Sequence, residues 1–101
     1  MQRKENYLKK RIALFVFYDQ DGRTDRSEEY LIRSIAMFVD RLIIIANGKV
    51  TEEAYSILKD ITDDILIRKN TGFDAEAYKE ALLAYLDAGE LAEYDELTLI
   101  N

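Results

Sequence analysis

The segment "RKNTGFD", residues 68–74, sets two cations, an asparagine and a glycine ahead of an aspartate that opens a helix-periodic, apolar stretch. These residue types suit recognition of an anion or a sugar. A glycine such as Gly72 lets backbone approach a phosphate or adopt positive φ. The helix start that follows exposes free N–H groups, and Arg68 and Lys69 add positive charge. Asp74 would repel an anion on the helix axis, so its chemistry is that of a cap or of an acceptor for ribose or sugar hydroxyls. Neither GxGxxG nor GxxxxGK[ST] occurs, so no dinucleotide fingerprint and no P-loop is present.

A second polar cluster, "DQDG" at 19–22, has the look of a metal loop. An EF-hand needs its third oxygen ligand two places beyond Asp21, and that place is Arg23, so the segment reads as a solvated loop. The chain has no cysteine and no histidine. That excludes disulfides, zinc sites of the usual kind, and thiol or imidazole catalysis. Acid–base work falls mainly to carboxylates, with Lys and Tyr behind them.

The elements that must hold these clusters alternate. "RIALFVFY" at 11–18, "LIIIA" at 42–46 and "ILI" at 65–67 are continuous apolar runs, the pattern of strands covered on both faces of a parallel sheet. "LTLI" at 97–100 is a fourth. Between them lie helical patterns: one capped by Asp25 with Glu28 three residues on, one capped by Thr51, one by Asp74. Gly89 is read as the stop of the third helix. Asn47-Gly48 is a strong hairpin signal, but "KVTEEAYSILKD" follows it, so it reads as a strand-to-helix loop. The order β-α-β-α-β-α-β predicts an α/β fold with three α/β/α layers and a four-stranded parallel sheet of order 3-2-1-4. Ligands of open α/β sheets bind outside the carboxyl ends of the strands, where the order reverses. Tyr18-Asp19, Asn47, the 68–74 segment and Asn101 gather at those ends. Asp63 and Asp64 precede the third strand at the opposite edge and read as surface charges.

At 101 residues the chain is expected to form one small domain, with a basic segment at 1–10. The net charge is −6, yet residues 1–11 carry +4 and the remainder −10. An acidic body argues against general nucleic-acid binding. The basic start reads as a solvated lead into the first strand, with contact to an anionic membrane surface left open. No apolar run approaches the ~20 residues of a membrane span, and no signal-peptide core is seen, so a cytoplasmic location is expected.

"KKRIALFVFYDQDGRTD", "VDRLIIIANGKVTEE", "DDILIRKNTGFDAEAYKEALLAY" and "YDELTLIN" together resemble the rhamnan synthesis protein F family over about residues 9–101. The resemblance implies a bacterial glycosyltransferase or glycosyltransferase-like chain for rhamnose-containing cell-wall or O-antigen polysaccharide. It implies a Rossmann-like half of a GT-A-type domain. By similarity Tyr18 and Asp19 lie by the nucleotide base or ribose. Arg68, Asn70, Gly72 and Asp74 line the donor side, and Asn101 begins the family's next segment. Ala75 and Glu76 depart from the aromatic residue and glycine that commonly follow "GFD" in the family.

The expected function is therefore the N-terminal nucleotide-sugar-binding part of such an enzyme. Its partners would be a nucleotide sugar, such as deoxythymidine-diphosphate rhamnose, and a polysaccharide acceptor in the parent. No cofactor is expected within these residues; a divalent metal belongs, if anywhere, to the parent chain. The chain's last apolar strand has nothing over its outer edge, which reads as a cut parent, inactive alone. The alternative is a non-catalytic interaction or regulatory module of receiver-like architecture. Asn47 and Asn70 stand where a receiver would want a phosphorylatable aspartate. A small-molecule hydrolase ranks last, without nucleophile elbow or triad.

Overall fold

Two apolar runs become the centre of the sheet: Arg11–Phe17 forms β1 and Arg41–Asn47 forms β2, each buried at every residue after the first. The computed structural model describes residues 9–69 and 74–100. Arg26–Phe38 forms α1, Glu52–Ile61 α2, Ile65–Arg68 β3, Asp74–Tyr85 α3, Ala88–Ala92 α4 and Glu96–Ile100 β4. The sheet is wholly parallel with order β3-β2-β1-β4. Its core divides into two layers. Ile12, Leu14, Val16, Ile43 and Ile45 pack under Ala77, Ala81 and Leu86, on the side of α3. Ala13, Phe15, Phe17, Leu42, Ile44 and Ala46 pack against Ile32 of α1 and Leu58 of α2. Alternate residues of the central strands therefore face opposite layers, and both layers are dry. Each such Ile, Leu or Phe contributes about 1.5–3 kcal/mol by leaving water.

The first two caps are as expected. The Glu28 N–H donates to Asp25 Oδ1 at 2.8 Å and the Ala54 N–H to Thr51 Oγ1 at 3.1 Å. Gly48 has φ 98°, where it turns the chain from β2 toward α2, so Asn47-Gly48 is a strand-to-helix loop. Asp74 is the first residue of α3, and the capping role expected of it falls on a side chain outside the described residues.

Four expectations are corrected. Gly89 does not end the third helix: α3 stops at Tyr85, and Gly89 sits inside the short α4. Asp87 starts that helix by accepting from the Glu90 N–H at 2.7 Å; a capped turn outweighs a single glycine's preference for termini. β3 is not covered on both faces, because it is an edge strand and Ile67 is 52% exposed. Of the two leucines expected to be surplus on α3, Leu83 is 75% exposed while Leu86 is buried in the core.

Asp64, finally, is no mere surface charge. Arg41 Nε donates to Asp64 Oδ2 at 2.8 Å and Arg41 Nη1 to Glu90 Oε2 at 3.4 Å, joining β2, the start of β3 and α4. Among the described residues Asp63 pairs only with Lys59, at 3.5 Å, and is almost fully solvated. Tyr85 Oη donates to the Ile65 carbonyl at 2.7 Å, so α3 is fastened to the start of β3 as well; burial pushes that phenol's pKa up.

Removing Asp64 leaves the half-buried Arg41 without its closest partner. Asp64→Ala is expected to cost about 1–2 kcal/mol in urea unfolding, whereas Asp63→Ala should change stability by less than about 0.5 kcal/mol. Equal losses in the two variants would contradict this account.

Candidate functional site

Parallel strands deliver their carboxyl ends to one rim, and the loops there are built on backbone contacts. After β1, Tyr18 is exposed. Asp19 folds the next residues around itself: the Asp21 and Arg23 N–H groups both donate to its Oδ2 at 3.0 Å, and the Gly22 N–H donates to its carbonyl at 3.0 Å. The Arg23 N–H foremost holds the Asp19 carboxyl below its ordinary value. An aspartate with such bonds is a turn-former by chemistry.

Gly22 carries this loop onto its neighbour. It has φ 73°, and a Cβ there would stand 2.7 Å from the carbonyl carbon and oxygen of Lys49. The Thr51 N–H donates to the Gly22 carbonyl at 2.8 Å. The loop after β2 reaches onward in the same way, with the Gly48 N–H donating to the Arg68 carbonyl at 2.8 Å. The rim over β1, β2 and β3 is thus laced by main-chain hydrogen bonds.

Beneath the lacing lies a polar cluster. Asn47, the last residue of β2, is buried; its Oδ1 accepts from Arg68 Nη1 at 2.7 Å. Arg68 Nε donates to Glu80 Oε2 of α3 at 2.8 Å, and the arginine side chain is only 8% exposed. A guanidinium so far from water requires partners. Asn47 supplies a carbonyl dipole and Glu80 the opposite charge.

Of the residues expected at the site, Tyr18, Asp19, Asn47 and Arg68 lie along this rim, and Asn47 and Arg68 are in direct contact. Asp74 is the first residue of α3. Asn70, Gly72 and Asn101 lie outside the described residues. Glu80 is the member that sequence reasoning missed. It stands twelve positions after Arg68, on a helix face that has no local signal to mark it. Two open depressions flank the β2–α2 loop. One, of about 490 Å³, is lined by Arg23, Thr24, Thr51 and the acids Glu52 and Glu53. The other, of about 450 Å³, is lined by Gly48, Lys49, Ile67, Arg68 and Lys69. Among the described residues no group of three or more His, Cys, Asp or Glu side chains is placed to hold a metal ion, and no helix is long and apolar enough to cross a membrane.

Two outcomes test this geometry. Gly22→Ala must leave the left-handed region or displace the Lys49 backbone, and should lower stability by about 2–4 kcal/mol in denaturant unfolding. Asp19 has a depressed folded pKa, so its contribution is present above the ordinary value of 3.8 and is lost as pH falls through the lower one. The Asp21 and Arg23 amide resonances should titrate with a midpoint below 3.8 and lose that transition in Asp19→Asn.

A family model described as rhamnan synthesis protein F matches residues 42–101, more than half of the chain and all of it from within β2 through β4. β1 and the loop after it lie outside the match. No curated protein and no solved structure matches the chain.

Proposed function

The chain belongs to the rhamnan synthesis protein F family, and from that premise we propose that it is the nucleotide-sugar-binding part of a bacterial glycosyltransferase making rhamnose-containing cell-wall or O-antigen polysaccharide. The family itself carries the role in rhamnan synthesis. The finer reading rests on one observation: Tyr18, Asp19, Asn47 and Arg68 share the carboxyl-end rim of a parallel sheet whose order reverses between β1 and β4. Such a rim is where open α/β sheets take nucleotides. The exposed Tyr18 ring offers a flat apolar face to a base. Asp19, ionised at neutral pH, can still accept from ribose hydroxyls while its Oδ2 holds the loop. Asn47 and Arg68 keep the neighbouring wall rigid, which lowers the ordering cost of binding.

The parent would move a sugar, rhamnose from deoxythymidine-diphosphate rhamnose, onto a growing polysaccharide. Residues 1–101 by themselves bind donor without turning it over. Displacement at the anomeric carbon needs the leaving diphosphate neutralised and, for inversion, a carboxylate base. Three of the carboxylates near the rim have other tasks: Asp19 in the loop, Asp25 at a cap, Glu80 on Arg68. Asp19 and Asp21 do not fit a divalent-metal site, since one oxygen of Asp19 already takes two amide bonds and no third carboxylate joins them among the described residues. Cytoplasmic placement, with the basic start near the inner face of the membrane, belongs to the same proposal.

Titration of the chain with deoxythymidine diphosphate, followed by backbone amide shifts, tests the reading. Shifts should concentrate along the carboxyl-end rim, in residues 18–22, 47–49 and 68–76, and incubation with the nucleotide sugar should release no free diphosphate. Shifts scattered over the amino ends of the strands, or measurable turnover, would contradict it.

A further inference from the structure

Pairing decides which cations of the rim are available to a ligand. The Arg68 side chain is nearly out of water and bonded to Asn47 and Glu80. Lys49 and Lys69 are different: each is exposed, and neither has a carboxylate partner among the described residues. They line the same open depression of about 450 Å³, with Gly48, Ile67 and Arg68. The Gly48 N–H donating to the Arg68 carbonyl ties their two segments side by side, so the main-chain positions from which the two lysines project are fixed. Arg68 beneath them adds charge that Glu80 offsets. In a chain of net charge −6, two ammonium groups with no carboxylate partner among the described residues, lining one depression, are an attractor for a compact, doubly charged anion.

We infer that Lys49 and Lys69 together hold the phosphate groups of a diphosphate-bearing ligand. This rests on the nucleotide-sugar reading and specifies where the diphosphate sits: between the ends of β2 and β3, rather than on the axis of α3. The surroundings agree with that polarity. Glu52 and Glu53 line the other depression, beside Arg23 and Thr24, and repel phosphate from it. Flexible lysines serve phosphate as point charges, whereas the paired Arg68 shapes the floor.

The experiment compares deoxythymidine diphosphate, thymidine and inorganic pyrophosphate on the wild-type chain and on the double variant Lys49→Gln/Lys69→Gln. Both side chains are exposed, so the variant should keep the wild-type amide spectrum away from the loops. Diphosphate and pyrophosphate should shift the Gly48, Lys49 and Lys69 amides, thymidine should not, and the double variant should bind the diphosphate at least about tenfold more weakly. Unchanged diphosphate affinity in the variant would overturn the inference and leave the nucleotide-sugar reading standing. Pyrophosphate bound at these amides, with no binding by deoxythymidine diphosphate, would keep the lysine pair and remove the nucleotide. Absence of binding by either anion would overturn both.

Discussion

Because β1 hydrogen-bonds in parallel to β2 on one side and to β4 on the other, every strand leaves the sheet at the same edge. Parallel pairing also demands helical crossovers, and these cover both faces of β1 and β2. The two central strands are consequently all but invisible to water, and polar residues are displaced to where the strands end. Asp19, Asn47 and Arg68 share a rim for that reason. Reversing one strand would send its last residues to the opposite side of the molecule, and no side-chain chemistry could restore the juxtaposition.

The rim is stiffened by the cost of leaving polar groups unsatisfied in a poorly hydrated place. Arg68 cannot sit nearly out of water without Asn47 and Glu80, and those partners bind the end of β2, the end of β3 and the middle of α3 into one unit. Tyr85 adds a second fastening from α3 to β3. On the far side of the loop after β2, Gly22 permits an approach to Lys49 that no side chain would allow. A carboxylate and a glycine thus do positional work that a list of ligand-like residues would overlook. The arginine that reads as an anion ligand in sequence also joins Asn47 to Glu80 in the fold.

Coverage of the sheet is uneven. α3 lies over β1 and β2 and leaves the same face of β4 open, so Leu97 and Leu99 remain exposed. With Tyr78, Leu82 and Leu83, Leu99 lines an apolar groove of about 550 Å³. On the other layer, Tyr30, Met37 and Phe38 project from α1. The buried parts of the molecule are concentrated at β1 and β2, and stability should be greatest there and least toward the edges.

Much of this was legible in the amino-acid sequence because its causes are local. Unbroken apolar runs bounded by Asp, Asn and Gly announce buried parallel strands, and Asp25 and Thr51 announce helix starts within three residues of the bonds they make. Alternation of the runs carried the sheet order, and the family's pattern was readable in "RKNTGFDAEAYKEAL". What only the tertiary structure decided was the pairing of charges and the division of apolar residues between core and surface. Asp63 and Asp64 are adjacent and chemically identical, yet only the second meets Arg41, twenty-three positions away. Leu83 on α3 and Leu86 just past its last residue stand three apart, yet only the second is buried. Among the described residues Arg68 pairs with Glu80 while Lys49 and Lys69 meet no carboxylate. Such outcomes depend on distances between segments remote in the chain, which close only when strands and helices pack; no window of neighbouring residues contains them.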